Sequence, residues 1–131
     1  KGAAALASPW AAQIYRLVVR HRNVQDRSEN STRFYILGQE PTAATGKDKT
    51  SLLFSLPHRA GALHRALGVL AGKGLNLLKV ESRPAPGKAW EYVFFVDVRG
   101  HVDRPDFRRA LLRLEKQTQD LRILGSYPEE R

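Results

Sequence analysis

The chain has 131 residues, 42% of them hydrophobic, which fits one domain with a packed core, or a small domain with an attached piece, and excludes wholesale disorder. It has no cysteine and no apolar run of ~18 residues, which excludes a disulfide framework, a thiolate metal site and a membrane-spanning helix, and favours a cytoplasmic protein. The net charge of +9 is spread from Arg16 to Arg122 rather than clustered, so it does not by itself predict a surface for nucleic acid.

Residues 1–37 predict one helix and one strand. Ser8-Pro9 is typical of a helix start, because the hydroxyl can cap free amides and proline suits the first helical position. Apolar residues then recur at helical spacing to about His21. After a polar stretch, residues 32–37 are typical of a strand.

Residues 38–48 contain two glycines, a proline and no apolar periodicity, which is typical of a linker. In residues 49–131 the apolar spacing predicts six elements in the order β-α-β-β-α-β. They are a strand at 50–56, a helix with its apolar stripe at 63–70 that ends at Gly72 or Gly74, a hairpin of strands at 76–80 and 90–98, a helix capped by Asp103, and a last strand from Leu121 to Pro128. This order is that of the ferredoxin-like α+β fold, with both helices on one face of an antiparallel sheet.

The strand from Trp90 to Val98 is apolar on both of its faces. A strand of this kind is covered on both faces, and the two helices cover only one. We therefore predict that a second copy of the domain shields the other face.

Short motifs occur in a fixed order along most of the chain. The second part contains Lys49-Thr50-Ser51, Ala60-Gly61-Ala62-Leu63, Asn76-Leu77 with Glu81-Ser82-Arg83-Pro84, Trp90-Glu91-Tyr92 with Phe94-Phe95-Val96-Asp97, Gly100-His101, and Leu124-Gly125-Ser126-Tyr127-Pro128. The first part contains Ala7-Ser8, Ala11-Ala12, Tyr15, Gln25-Asp26 and Asn30-Ser31-Thr32-Arg33-Phe34. Together they resemble the ACT regulatory domain, and the last portion of the catalytic domain, of prephenate dehydratases. The resemblance implies an enzyme of phenylalanine biosynthesis that converts prephenate to phenylpyruvate, water and carbon dioxide without a cofactor or a metal.

The resemblance implies that Thr32, Arg33 and Phe34 belong to the catalytic site. A hydroxyl can assist loss of the ring hydroxyl, a guanidinium can hold a substrate carboxylate, and an aromatic ring can pack beneath the substrate. Without the resemblance, the same three residues would be part of an ordinary edge strand. Because most of the family's catalytic cleft would precede Lys1, we expect this chain to be inactive alone.

The resemblance also implies an effector site for L-phenylalanine between two ACT domains, in a homodimer or, at full length, a tetramer. Carried over, its residues are Gly61, Ala62 and Leu63, with His58 beside them, and Glu81, Ser82, Arg83 and Pro84. The amides that open a helix favour an anion such as the effector carboxylate. Taken alone, the first segment would be a helix start and the second a surface ion pair. The family usually has an Asn-x-Pro pattern ahead of this glycine, and Arg59-Ala60 departs from it, which leaves effector affinity and selectivity open.

Two alternatives remain, a free-standing amino-acid sensor of the ACT type and, ranked below it, an RNA-recognition module. The RNA-binding module has the same element order and carries aromatic residues on its third strand. The chain lacks the glycine and basic residues that open the corresponding RNA motif, and Glu91 and Asp97 would repel phosphate. We therefore expect no nucleic-acid and no membrane partner. Whether a chorismate mutase domain is fused to the full-length protein stays open.

Overall fold

The computed structural model describes residues 2–27, 29, 32, 34–85 and 91–129. The chain forms two compact units, Lys1–Leu37 and Gly38–Arg131. Within the described residues, no helix is long and apolar enough to cross a membrane. Nor do those residues place three or more His, Cys, Asp or Glu side chains together where they could hold a metal ion.

The first unit contains one short helix, α1 (Pro9–Ile14). As predicted, the Ser8 hydroxyl caps it by accepting a hydrogen bond from the Ala11 amide at 3.2 Å. The predicted continuation to about His21 is absent, and Arg16 has a left-handed φ of +54° just after the helix. No residue of α1 is buried, so packing adds nothing to a helix that is too short to be stable on its own.

The strand predicted at residues 32–37 is also absent from the described residues, which are Thr32 and 34–37 in this segment. A strand must pair its backbone groups with another strand. The described residues of this unit contain no second strand that could supply those partners.

The second unit is a four-stranded antiparallel sheet with two helices, and it confirms the predicted α+β fold. Its elements are β1 (Asp48–Ser55), α2 (Ala62–Ala71), β2 (Leu77–Pro84), β3 (Tyr92–Arg99), α3 (Pro105–Glu115) and β4 (Asp120–Pro128). The strand order is β2-β3-β1-β4, so β2 and β4 are the edge strands. The sheet order therefore places the Glu81–Pro84 segment at an edge.

One face of the sheet and the inner faces of both helices form a single core. Leu52 and Phe54 of β1 are fully buried, and so are Phe107 and Leu114 of α3. Phe54 stacks on Phe94 of β3 with 5.7 Å between ring centroids. Alternate residues of the central strands thus point into the core, as the sequence pattern predicts.

Asp103 does not cap α3 as predicted. Arg104 occupies the capping position and Pro105 begins the helix, one residue later than expected. The Asp103 carboxylate accepts a 2.6 Å hydrogen bond from Arg108 instead. Both partners of this bond are charged, which strengthens it.

The segment predicted as a linker is structured where it approaches β1. His101, only 3% exposed, accepts a hydrogen bond from the Asp103 amide at Nδ1, and its Nε2 lies 2.9 Å from the Thr42 carbonyl oxygen. A carbonyl oxygen can only accept a hydrogen bond, so the protonated Nε2 donates to the Thr42 oxygen. The Asp48 carboxylate in turn accepts a 2.6 Å hydrogen bond from the Thr45 hydroxyl, and that bond is the largest cause of its lowered pKa. These hydrogen bonds therefore hold residues 42–48 against the rest of the second unit.

The face of the sheet opposite the core carries both polar and apolar side chains. Ser51 donates to the Asp97 carboxylate at 2.6 Å, and its hydroxyl is also 2.6 Å from the Tyr127 hydroxyl. Val93 and Phe95 are half-buried on this face. The second copy that we expect to cover it stays a prediction.

Candidate effector-binding site

The first predicted effector segment forms the start of α2. Gly61 has a φ of +75°, a left-handed conformation that favours glycine. The Ala62 amide donates to the Arg59 carbonyl oxygen at 3.2 Å. For the next two amides, those of Leu63 and His64, the described part of the chain offers no backbone acceptor. These two N–H groups lie at the positive end of the helix dipole and can bind an anion.

A cavity of about 160 Å³ lies beside this helix start. Two stretches of chain line it: Leu56, Pro57, His58, Arg59, Ala62 and Leu63 from the β1–α2 connection and helix start, and Glu91, Tyr92 and Phe94 from the beginning of β3. The volume is below the ~300–1,000 Å³ of sites for drug-sized ligands. The cavity therefore suits a small molecule with an apolar part and a few polar groups.

Two of the four residues of the second predicted effector segment lie on the same side of the sheet as this cavity, although neither lines it. Ser82 lies opposite Phe94 and Pro84 lies opposite Tyr92 in the β2–β3 register. Directly opposed residues point to the same face of a sheet. Phe94 and Tyr92 both line the cavity, so Ser82 and Pro84 lie on its side of the sheet.

Glu81 and Arg83 point to the other face of the sheet, because side chains alternate along a strand. Arg83 donates to the Glu81 carboxylate at 2.7 Å, and Lys79 Nζ lies 2.7 Å from the second carboxylate oxygen. Lys79 and, second, Arg83 lower the pKa of the Glu81 carboxyl. The Arg83 guanidinium also lies 5.7 Å from the centre of the Phe95 ring. The structure thus separates this pair from the cavity within one chain.

The predicted catalytic residues form no site in the described part of the first unit. Phe34 is 84% exposed and Thr32 is exposed as well. Arg33 lies outside the described residues.

Sequence reasoning missed Glu91 and Tyr92 as residues of the cavity. Both belong to the motif Trp90-Glu91-Tyr92, to which no role was assigned. The signal was the alternation along β3, which puts Tyr92 on the same face as Phe94. What the sequence does not give is the position of the β3 start beside α2, which depends on the packing of the whole sheet.

Two family models match different parts of the chain. A model described as "ACT domain" matches residues 50–116, and a model described as "Prephenate dehydratase" matches residues 1–42. The chain belongs to the ACT domain family. The motifs predict a resemblance to prephenate dehydratases. The second family model and the relatives of this chain confirm that resemblance.

Curated relatives match nearly the whole chain. The chain is 47% identical over 127 residues to a bifunctional chorismate mutase/prephenate dehydratase of Aquifex aeolicus. This match covers 97% of this chain and 35% of that protein. The chain is also 38% identical over 127 residues to a prephenate dehydratase of Mycobacterium bovis. This match covers 95% of this chain and 40% of that protein. The chain therefore spans little more than a third of the length of these relatives.

Two solved structures also resemble this chain. The prephenate dehydratase of Arthrobacter aurescens in complex with L-Phe is 34% identical, with a TM-score of 0.64 over 70% of this chain and 30% of that chain. A protein named GqqA, described as a novel type of quorum quenching acylase, is also 34% identical, with a TM-score of 0.65 over 72% of this chain and 48% of that chain. Both likenesses extend over more than half of this chain, so they include a large part of the ACT domain.

Proposed function

We propose that residues 49–131 are an ACT regulatory domain that binds L-phenylalanine, joined by residues 38–48 to the end of a catalytic domain in 1–37. The whole protein is then a cytoplasmic prephenate dehydratase, a lyase that forms phenylpyruvate, water and carbon dioxide from prephenate. The observation that carries the proposal is the cavity at the start of α2, on whose side of the sheet Ser82 and Pro84 of the second effector segment lie.

The chemistry of the cavity suits a zwitterionic amino acid with an apolar side chain. The effector carboxylate can accept from the amides of Leu63 and His64 at the helix start, as anions do at such termini. Leu56 and Leu63 offer apolar surface for the ring, and Phe94 offers an aromatic face. His58 lines the same cavity and supports its predicted place in the site.

The position of β2 supports the proposed homodimer. β2 is an edge strand, so one side of its backbone can pair with a strand of a second chain. Two-fold pairing of that edge would bring Glu81 and Arg83 of one chain to the boundary with the other. The polar pair at the edge would then become a contact between subunits.

Thr32, Arg33 and Phe34 keep their proposed role in the catalytic site of the whole protein. The exposure of Thr32 and Phe34 supports the expectation that this chain alone forms no phenylpyruvate from prephenate. Phenylpyruvate formation above the uncatalysed rate would contradict that expectation.

Isothermal titration of the chain with L-phenylalanine tests the effector proposal. Leu63 and Leu67 are matched residues of α2, since both are partly buried against the core and only Leu63 lines the cavity. We expect saturable binding by the wild type, about tenfold weaker binding by Leu63→Ala, and nearly unchanged binding by Leu67→Ala, since a lost apolar contact of about 1.4 kcal/mol is a factor of ten. No heat at millimolar phenylalanine with the folded wild type would refute the proposal.

A further inference from the structure

The outer edge of β2 presents backbone groups at alternate residues. The Ala85 amide donates to the Glu91 oxygen at 2.8 Å, so these opposed residues form a hydrogen-bonded pair at the end of the β2–β3 ladder. Hydrogen-bonded and non-hydrogen-bonded pairs alternate in an antiparallel ladder, so the backbone groups of Val80, Ser82 and Pro84 point away from β3. The edge therefore offers amides at Val80 and Ser82, and at Pro84 a carbonyl oxygen without an N–H.

A second copy of this chain can pair with the edge in few registers. In a two-fold antiparallel pair, the outward-pointing residues of one strand must lie opposite those of the other. The register of β2 shifts between Leu77 and Lys79, which confines regular pairing to residues 79–84. The two-fold axis then passes between the two copies of Val80, of Glu81, of Ser82 or of Arg83.

The charges on the outer face of the sheet exclude two of these registers. Lys79, Glu81 and Arg83 follow one another on that face as positive, negative and positive groups. With the axis at Glu81, the two Glu81 carboxylates lie opposite each other, and Lys79 lies opposite the partner's Arg83. With the axis at Arg83, the two guanidinium groups lie opposite each other. Like charges directly opposite destabilise a pair of strands.

The other two registers bring opposite charges together. With the axis at Ser82, Glu81 of each chain lies opposite the partner's Arg83. With the axis at Val80, Glu81 lies opposite the partner's Lys79. Opposite charges in directly opposed positions stabilise a pair of strands, so the backbone must decide between these two registers.

The backbone groups favour the axis at Ser82. The two Ser82 residues then exchange both of their hydrogen bonds, and each Val80 amide donates to the oxygen of the partner's Pro84. With the axis at Val80, Ser82 would instead lie opposite the partner's Leu78, where the register of β2 is irregular. The axis at Ser82 also places Pro84 of the partner beside Val80, which is 45% exposed in the single chain.

We infer that two copies of this chain pair through β2 with the two-fold axis between their Ser82 residues, and that Glu81 of each chain binds Arg83 of the other. The inference rests on the proposed homodimer and names the register of its interface. The contact between Glu81 and Arg83 within one chain then becomes part of a charged cluster that both subunits share.

The chain contains no cysteine, so disulfide formation by single introduced cysteines tests the register. Val80→Cys and Ser82→Cys, which differ in mass, are mixed in equal amounts, diluted to exchange subunits, and oxidised mildly after concentration. With the axis at Ser82, the Cα atoms of the two residues 82 lie about 5.5 Å apart, within the range of a disulfide. Residues 80 and 82 of different chains lie about 8 Å apart, outside that range. Mass spectrometry should therefore find disulfide dimers of Ser82→Cys alone.

Charge reversal tests the contact between Glu81 and Arg83 independently. Glu81→Arg brings like charges together at both symmetric contacts and should raise the Kd of the dimer, measured by sedimentation equilibrium, by about tenfold. The double variant Glu81→Arg/Arg83→Glu restores opposite charges and should have a Kd within about threefold of the wild type. Asp120→Arg makes the same change in net charge on β4, the other edge strand, and should leave the Kd unchanged.

The outcomes separate the register from the homodimer. If the wild type dimerises but the disulfides join residue 80 to residue 80 or to residue 82, or if the charge reversals leave the Kd unchanged, the register is refuted and the homodimer stands. A wild-type dimer whose variants form no disulfide would place the interface away from β2 and would also refute the inference. A folded wild type that stays monomeric with and without L-phenylalanine would refute the proposed homodimer and the inference together, whereas calorimetry tests effector binding separately.

Discussion

Two glycines, one just before α2 and one within it, should respond in opposite directions to the same substitution. Gly61 precedes the helix with a φ of +75°, whereas Gly68 lies within it. A Cβ atom at Gly61 would lie 2.9 Å from Nη1 of Arg65, the movable end of an exposed side chain. A Cβ atom at Gly68 would meet nothing within 4 Å. The backbone conformation therefore decides the effect at Gly61, and helix propensity decides it at Gly68.

The expected magnitudes follow from these conformations. A left-handed φ costs alanine about 1–2 kcal/mol, partly offset by about 0.4–1 kcal/mol from the reduced entropy of the unfolded chain. Gly61→Ala should thus lower the free energy of unfolding by about 1 kcal/mol. Gly68→Ala should raise it by about 0.5–1 kcal/mol, because alanine is the better helix former.

Thermal unfolding followed by circular dichroism measures the difference. For a unit of this size about 1 kcal/mol corresponds to about 4–8 °C, so the two midpoints should lie about 5–15 °C apart on opposite sides of the wild type. Midpoints that move in the same direction, or an unchanged midpoint for Gly61→Ala, would refute the assignment of the strained turn to Gly61.

Three further substitutions, two of them with a matched control, test the fold through urea unfolding. His101→Ala should cost about 1–3 kcal/mol, because it removes a buried side chain that is the hydrogen-bond partner of two part-buried backbone groups, whereas His64→Ala, on the exposed side of α2, should change stability by less than about 0.5 kcal/mol. Asp48→Asn should destabilise the chain at about pH 7, because the hydrogen bond from the Thr45 hydroxyl is the chief cause of the lowered pKa of Asp48. That stability is fully present above about pH 3.9, so the loss in the variant should shrink as the pH falls below this value through the folded pKa. Phe107→Ala should cost about 3–5 kcal/mol and the exposed Leu112→Ala less than about 0.5 kcal/mol, which contrasts the two faces of α3. These assignments would be contradicted if His64→Ala lost more stability than His101→Ala, or if Leu112→Ala lost more than Phe107→Ala. An Asp48→Asn effect that does not depend on pH would contradict the assignment of Asp48.

The sequence predicted the second unit well because its signals are local and repeated. Alternating residues such as Leu52 and Phe54 define a half-buried strand, and the spacing of Phe107, Ala110 and Leu114 defines a helix face. Each of these patterns depends on burial against a core that the unit itself supplies. The order of six such elements then limits the fold to few topologies.

The missed features depend on tertiary partners that no local pattern reveals. The helix predicted to His21 and the strand at 32–37 had suitable periodicity, but the described residues of the first unit supply no core or sheet to stabilise them. The capping role expected of Asp103 was wrong because Arg108 binds its carboxylate. The hydrogen bond from His101 to Thr42 joins residues 59 positions apart, and no linker composition predicts it.

Part of the candidate site could be predicted from the sequence, because part of it depends on local signals. The helix start at Gly61 can be located from its sequence, since glycine followed by an apolar helical stripe is a local signal. The division of Glu81–Pro84 between two faces follows only from the β2–β3 register. The contribution of Glu91 and Tyr92 needs the additional fact that β3 begins beside α2.

The most direct test of phenylalanine binding in this cavity is an NMR titration of the ¹⁵N-labelled chain with L-phenylalanine. We predict saturable shifts concentrated at the amides of Leu63 and His64 and at the start of β3 near Tyr92, with the outer face of α3 around Leu112 unchanged. Shifts that are absent at saturating ligand, or that map to α3 instead of the cavity, would contradict it.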